Sequence, residues 1–230
     1  MPNTVWPPIR GKRIRITLLD VCGVPIIGPK STLVADAFTR VEASPEFEDG
    51  EETAPKNANG KVHFTDNAPD QFKYLGLEIE FLQVDPEAFH MITGQPLKTN
   101  AAGDAVGIAV GSYDIEQAFA LEVWTDVAGR ACVGGLKPYG YYVYPFIANG
   151  RLGTVTVEQG SPTFTLSAKT KDGAAWGAGP YLVDRDEDGD LAVLADPLTD
   201  QDHMDAITVT VPPPAVTAGA VALAALPVTP

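Results

Sequence analysis

The chain has 230 residues, 45% of them hydrophobic, and its 30 acidic and 16 basic side chains give a formal net charge of −14. This composition predicts one sizeable globular domain or two small ones, and the acidity argues against a general nucleic-acid binder, which needs a basic face. The N-terminus has no apolar signal segment and no apolar run could span a bilayer, so we expect assembly in a cytoplasm.

The first part of the chain predicts an arm followed by two β segments. Residues 1–11, with three prolines and Trp6, are expected to form an extended N-terminal arm. Period-2 alternation predicts a strand over Lys12–Leu19, and a loop with Gly and Pro follows over Asp20–Pro29. Ser31–Ser44 is predicted to be a second β segment.

A long acidic loop is predicted over Glu42–Lys61, because six acidic residues lie between its start and Glu52 and Asn59-Gly60 is a strong turn signal. Loops of this length in compact domains are usually functional or disordered, and the apolar Phe47 favours function. A short strand over Lys61–Thr65 is expected to leave the turn.

The middle of the chain predicts its clearest strand and its one helix. Tyr74–Val84 alternates, with apolar residues on one face and Glu78 and Glu80 on the other. Two carboxylates on one strand face require that this face be wet. Asp85 as N-cap, a proline after it and Gly94 as the stop signal predict a short helix.

After the helix, a loop is predicted over Leu97–Gly103 and strands over Ala105–Val110 and Ala118–Thr125. Tyr141–Ile147 is predicted to be an aromatic strand, and its Pro145 requires an edge or a bulge.

Thr154–Glu158 and Thr163–Lys169 both alternate around a Gly-containing break, which predicts an antiparallel hairpin. One face is apolar and consists of Val155, Val157, Phe164, Leu166 and Ala168. The other face is rich in threonine, which can pair strands and tolerate water.

The C-terminal part predicts turns, a last strand and an arm. Alternating aspartates resemble the front of a calcium loop, Asp184, Asp186 and Asp188. The bidentate glutamate of such a loop is replaced by Ala195, so a solvated turn is favoured. A loop is also favoured over a metal site for Asp200, Asp202, His203 and Asp205. Asp205–Val211 is the last predicted strand, and residues 212–230 are expected to form a C-terminal arm.

Motifs for catalysis are missing from the sequence: it has no phosphate-binding loop, nucleophile elbow or zinc-protease helix, and we expect no cofactor. Cys22 and Cys132 follow no metal or redox spacing and are expected to be buried free thiols. The tyrosines within residues 139–144 fit a ligand-stacking platform or a packed edge or subunit contact, and packing is favoured.

Five segments occur in one order along the chain: FTRVEASPEFEDGEE, KNANG, LGLEIEFLQVDPEAFHMITG, FALEVWTDVAG and NGRLGTVTVEQGSPTFTLSAKTKDGAAWGAGPY. Together they resemble the major tail tube proteins of long-tailed, non-contractile bacteriophages, most of all those of phages that infect actinobacteria. The likeness covers Lys12 to Val211. It implies a mainly β tail-tube domain over residues 12–211. In that fold two antiparallel sheets pack in a barrel-like way, with a short flanking helix, a long acidic loop and extended arms.

The resemblance also implies a structural protein of the virion and no catalytic residues. Copies of the chain would form six-fold rings that stack into a tube. The tube would surround the tape measure protein, meet tail terminator and distal tail proteins, and conduct DNA without binding it specifically.

The polar faces supply the candidates for a wet tube lumen: Glu78, Glu80, Thr154, Thr156, Glu158, Thr163 and Thr165. The charged and aromatic segments supply the candidates for contacts between subunits or rings: Trp6, Arg10, Lys12, Arg13, Arg15, Glu46, Phe47, Glu48, Asp49, Glu51, Glu52, Tyr141 and Tyr142. Two rivals stay open. One is a monomeric β-sandwich module that binds carbohydrate through residues 139–144, and the other is a hydrolase that uses Asp186 and Asp188.

Overall fold

A computed structural model describes residues 7–83, 85–113, 115–129, 132, 135–156 and 163–226, and this part of the chain is mainly β with one helix. The strands are β1 (Pro8–Leu19), β2 (Gly28–Ala35), β3 (Phe38–Glu48), β4 (Glu52–Thr53), β5 (Asp66–Asn67), β6 (Gln71–Phe81), β7 (Leu97–Thr99), β8 (Ala105–Ile108), β9 (Ala118–Val127), β10 (Tyr139–Thr156), β11 (Thr163–Thr170), β12 (Asp184–Arg185), β13 (Leu191–Ala192), β14 (Asp205–Val209) and β15 (Val221–Leu223). The helix, α1, spans Pro86–Thr93.

The main strands form one large antiparallel sheet, where the resemblance implies two packed sheets. Its hydrogen-bonded order is β15-β2-β1-β9-β10-β11-β6-β3, and β14 pairs with β10 as a ninth strand. Three small two-stranded sheets stand apart from it: β4 with β5, β7 with β8, and β12 with β13. The prediction of a mainly β structure with antiparallel pairing is confirmed, and the backbone ladders join the main strands into one sheet.

The large sheet coils back on itself, so that one sheet provides both sides of a core. Ile16 of β1 packs in the same buried cluster as Ile79 of β6 and Leu166 of β11, although β9 and β10 lie between these strands in the sheet. The ring of Phe38, at the start of β3, lies against Gly11 of β1. A Cβ atom on residue 11 would be only 2.7 Å from this ring. No backbone ladder joins β1 to β3 in the described residues, and the sheet therefore stays open.

A second core covers the opposite face of the central strands. Trp124 of β9 and Val143 of β10 pack there against Trp176, Val183 and Leu198 from the segment after β11. Strand β9 is thus buried on both faces. Its near-continuous apolar run is typical of a strand between two layers.

The helix forms as predicted. The Asp85 carboxylate accepts the backbone N–H groups of Glu87 and Ala88, at 2.9 and 3.2 Å, and Gly94 ends the helix with a left-handed φ of 67°. Phe89 and Ile92 carry the helix into the first core. The cap signals suffice here because they are local in sequence.

The predicted hairpin also forms, with Thr156 opposite Thr163 and Leu152 opposite Leu166. Its first strand, β10, is 18 residues long and includes the predicted aromatic strand. The pairing of β10 with β9 shifts register between Tyr144 and Ile147, around Pro145. Contrary to expectation, Val155 is exposed, beyond a register shift in β10. Val157, Glu158 and the break after them lie outside the described residues.

Both predicted arms overlap with strands of the sheet. β1 begins at Pro8, opposite Val127, so residues 8–11 belong to the sheet; Trp6 lies outside the described residues. At the other end, β15 pairs with the edge of β2 inside the predicted C-terminal arm. The Thr217 backbone N–H also donates to the Val34 carbonyl at 3.1 Å. Neither pairing has a local sequence signal.

Several loop predictions are wrong in the same way, because backbone pairing continues through them. The first half of Glu42–Lys61 is strand β3, and Leu97–Gly103 contains β7. Ser31–Ser44 divides into β2 and β3, and the strand expected over Lys61–Thr65 is only an isolated bridge at Val62.

The prediction for the cysteines is also wrong, since Cys22 and Cys132 are both exposed.

Candidate assembly surface

Four strands form a section of the sheet with one apolar and one polar face. We call β3, β6, β11 and residues 149–156 of β10 the polar section. Its inner face packs in the first core through residues such as Leu77, Ile79 and Leu166. Its outer face is polar: Glu80 lies opposite Thr165 on one side and opposite Arg40 on the other. Paired residues in an antiparallel sheet share a face, so these side chains form one continuous outer surface.

The structure brings most of the lumen candidates together on this surface. Thr156 and Thr163 form one cross-strand pair, and Thr165 and Glu80 form another. Glu78 lies two residues from Glu80 and opposite Ser167. Thr154 is exposed near the end of β10, and Glu158 lies outside the described residues. Glu78 and Thr154 are exposed on this polar face, and Glu80, Thr156, Thr163 and Thr165 are half-buried.

The carboxylates of the outer face are solvated and only loosely paired. Glu78 lies opposite Glu42, a like-charge pair that is unfavourable by itself. Arg40 makes an ion pair with Glu42 and lies 3.7 Å from the Glu78 carboxylate, which offsets the repulsion. The Glu78 side chain is 50% exposed, so this ion pair contributes at most about 1 kcal/mol.

Both sides of the polar section end in strand edges without a partner in the described residues. The ladder between β10 and β9 ends at Ala148, and from there to Thr156 β10 pairs only with β11. β3 is the last strand of the sheet order. Pro45 within it has no N–H to donate, which fits an edge strand. Unpaired edges of this kind are templates for pairing with another chain.

The acidic segment projects from the polar section as a ribbon. β3 and β6 continue past the end of β11, β4 pairs with β5, and the turn at Asn57–Gly60 closes the tip. We call residues 45–74 the arm. Its predicted contact residues are all exposed: Glu46, Phe47, Glu48, Asp49, Glu51 and Glu52. Phe47 is 54% exposed, which leaves apolar surface among the acids.

The basic contact candidates of β1 pair with acids of their own chain. Lys12 lies 3.0 Å from Asp126, which Lys137 also contacts, and Arg13 lies 3.3 Å from Asp36. Burial would raise the pKa of Asp126, but the hydrogen bonds from the two lysines outweigh it and hold that pKa below its ordinary value. Arg10 is exposed at the rim of the sheet.

Arg15 and Tyr141 lie in the interior and cannot reach another subunit in this fold. Arg15 makes a two-point ion pair with Glu122, and the Tyr141 hydroxyl donates to the same carboxylate at 2.6 Å. The exposed fractions of Arg15, Glu122 and Tyr141 are 7%, 1% and 1%. The Arg15 guanidinium also stacks 3.2 Å from the ring centre of Tyr181. We therefore remove Arg15 and Tyr141 from the contact candidates.

Sequence reasoning missed this network because its members are far apart along the chain. Burial and the charge of Glu122 raise the pKa of Tyr141 well above its ordinary value, so the hydroxyl stays protonated and donates. A glutamate within the apolar run of β9 is the one signal that could have revealed it, since a buried carboxylate needs a cation.

The tyrosines of residues 139–144 do not form an exposed platform. Tyr141 and Tyr144 are buried, and burial raises the pKa of Tyr144 to about 12. Tyr139 is half-buried with Lys137 at 5.1 Å from its ring centre, and Tyr142, a contact candidate, is also half-buried. Packing, the favoured interpretation of this cluster, describes these positions better than ligand stacking.

The aspartates that resemble a calcium loop form a tight hairpin between β12 and β13. The Asp186 carboxylate accepts the backbone N–H groups of Asp188 and Asp190, so it acts as a turn residue, and Asp184 bonds the N–H of Arg185. Asp202 similarly accepts from Thr199. Among the described residues, no three histidine, cysteine, aspartate or glutamate side chains form a group that could hold a metal ion.

No protein-family profile matches the chain, and no curated protein is significantly similar to it. In the part of the chain that the structure describes, no helix has the length and apolar character needed to cross a bilayer.

Proposed function

We propose that the protein is a structural subunit that assembles with copies of itself into rings and tubes, as the resemblance to phage tail tube proteins implies. The observation that carries the proposal is the polar section, a four-stranded sheet with a polar outer face and, among the described residues, an edge without a strand partner on each side. The polar face would line the bore, and the two edges would join neighbouring copies.

The proposal accounts for two features that a monomeric module would leave without a use. Long open edges are a hazard in a soluble protein unless they are covered, and head-to-tail pairing of β3 with the end of β10 would cover both. A wet bore would also explain why the exposed Glu78 and the half-buried Glu80 lie on the outer, polar face of the sheet. Carboxylates there would repel phosphates and let DNA pass without adhering.

The arm is the natural contact between successive rings in this proposal. It extends beyond the sheet, and its acids could meet the exposed Arg10 of another copy while Phe47 supplies apolar contact. Charge complementarity of this kind speeds and orients association more than it strengthens it.

The test is the size of the purified protein as a function of concentration. Analytical ultracentrifugation should show assembly as concentration rises, and negative-stain microscopy should show rings or tubes. A single small species at every concentration and salt would overturn the proposal.

An edge variant tests the mode of assembly. Leu75 lies opposite Pro45. The backbone N–H of Leu75 points away from β3 and donates to Thr170, so Leu75 and Pro45 do not exchange backbone hydrogen bonds. The direction of the backbone N–H alternates along a strand, so residues two apart share it. Ala43 lies two residues before Pro45, and its N–H therefore points away from β6. Ala43→Pro should therefore remove an outward donor and block assembly while the monomer stays folded.

Ala43→Ser keeps the outward N–H and is the matched control. It should assemble like the wild type, and circular dichroism should show both variants folded. Tubes of normal length from a folded Ala43→Pro protein would rule out pairing through β3.

A further inference from the structure

The arm has only two strands where it leaves the large sheet. β11 pairs with β6 only from Gly76 to Phe81, so β3 and β6 continue beyond that point as a two-stranded ribbon. A lone two-stranded ribbon is marginally stable in water. A register shift between Glu46 and Phe47 falls at the same level and marks a place where the ribbon can bend.

Side chains replace the missing strand at this point. The N–H of Leu75 donates to the hydroxyl oxygen of Thr170 at 2.8 Å, one step beyond the last β11 pair. The same hydroxyl lies 2.7 Å from Nδ1 of His203. We assign the hydroxyl hydrogen to Nδ1 of a neutral imidazole, an arrangement in which the hydroxyl accepts from Leu75 and donates to His203.

The imidazole also begins an aromatic chain into the arm. The ring centres of His203 and Phe72 are 4.8 Å apart, edge to face, and those of Phe72 and Phe47 are 5.8 Å apart. Phe72 and Phe47 belong to the two strands of the arm, and His203 belongs to the turn before β14. Through these ring contacts, the turn before β14 holds the ribbon at the point where it joins the large sheet.

We propose that Thr170 and His203 form an acid-sensitive latch that holds the arm against the body and releases it when the imidazole takes up a proton. A protonated Nδ1 can only donate, so it must turn its N–H toward the Thr170 oxygen that also accepts from Leu75, and the hydroxyl hydrogen of the buried Thr170 loses its acceptor. The hydrogen bond from Leu75 is weakened as a result. The latch lies within one chain and does not depend on the proposed assembly.

The charges around His203 set the direction of the pH dependence. Burial lowers the pKa of His203 more than the nearby carboxylates of Asp172 and Asp202 raise it, so the net pKa lies below the ordinary value of 6.5. On the arm, Lys73 and Glu48, which are the neighbours in sequence of Phe72 and Phe47, pair with each other. The latch therefore contributes fully above about pH 6.5 and is lost as pH falls through the lower pKa of the folded state.

Hydrogen exchange at the amide of Leu75 measures the latch in the full chain. Between about pH 7.5 and about pH 5, we expect its protection factor, corrected for intrinsic exchange, to fall about tenfold. The amide of Ile79, in the part of β6 that β11 covers, should keep its protection and reports on global stability. Measurement at a concentration where the protein is monomeric separates this test from that of the assembly proposal.

Three variants sharpen the test. His203→Asn retains an acceptor that does not titrate, so protection of Leu75 should be the same at both pH values. His203→Ala should lower protection at both, and His63→Gln, at an exposed histidine of the arm, should behave like the wild type. The proposal is overturned if wild-type protection changes less than twofold with pH, or if His203→Asn shows the full wild-type response.

Discussion

Two glutamates in neighbouring parts of the same sheet, Glu122 of β9 and Glu78 of β6, show how differently the two regions are built. Glu122 is 1% exposed and its carboxylate accepts from Arg15 and Tyr141. Glu78 has a half-exposed side chain with one loose ion pair to Arg40. The centre of the sheet is covered on both faces, whereas the polar section has a face open to solvent.

Whether a second layer covers the sheet face determines whether a glutamate on a strand is buried or solvated. The segment after β11 covers the outer face of β9, so Glu122 loses water and needs full compensation from partners. No described segment covers the outer face of the polar section at Glu78, and water compensates its charge at little cost. A sheet face of the second kind is suited to a bore.

The largest effect is expected when Glu122 is removed. Glu122→Ala leaves the Arg15 charge buried without its partner, which should lower the free energy of unfolding by about 3–5 kcal/mol. Urea denaturation followed by circular dichroism measures this. Glu78→Ala is the matched control, expected within about 0.5 kcal/mol of the wild type. Similar losses at the two positions would break the comparison.

Tyr141→Phe should have the next largest effect. It removes the hydroxyl that donates to the Glu122 carboxylate while the ring keeps its packing against Trp124. A hydrogen bond to a buried charge contributes about 1.5–3 kcal/mol, and the urea midpoint should fall accordingly. Tyr113→Phe, at an exposed tyrosine, should leave the midpoint unchanged. An equal, small change in both variants would mean that water replaces the hydroxyl.

Replacing the whole ion pair should cost less than breaking it. In Arg15→Met/Glu122→Leu no charge is left buried alone, so we expect a free energy of unfolding within about 2 kcal/mol of the wild type. A double-mutant cycle with the two single variants measures the coupling. Additive losses would show that the two side chains contribute separately through packing.

The smallest effect is expected at Asp126, on the rim between the two regions. Because its pKa lies below the ordinary 3.8, its ion pairs stabilise the fold above that pH, and this contribution is lost as pH falls through the folded-state pKa. Asp126→Asn should therefore lower the urea midpoint near neutral pH, and this effect should shrink progressively as pH falls below about 3.8. A midpoint difference that is the same at both pH values would assign the effect to packing.

The sequence predicts the parts of the fold whose signals are local. The caps of α1, the alternation in β6 and the hairpin of β10 and β11 each lie within a few residues of one another, and all three are present. The same alternation predicts the polar face that Glu78, Glu80, Thr163 and Thr165 share. Which faces are wet, however, depends on distant segments, and Arg15 illustrates this because its alternating strand predicts an exposed position.

By itself, then, the sequence determined where this chain can form strands, which strand faces are apolar, and where its helix begins and ends. Hydrogen bonding and periodicity along a short stretch are enough for that. Tertiary structure alone decided that one sheet coils around its own core, that a later segment buries Arg15 with Glu122, and that the polar section keeps two open edges. These outcomes depend on contacts between residues far apart in the chain, whose burial no local pattern encodes.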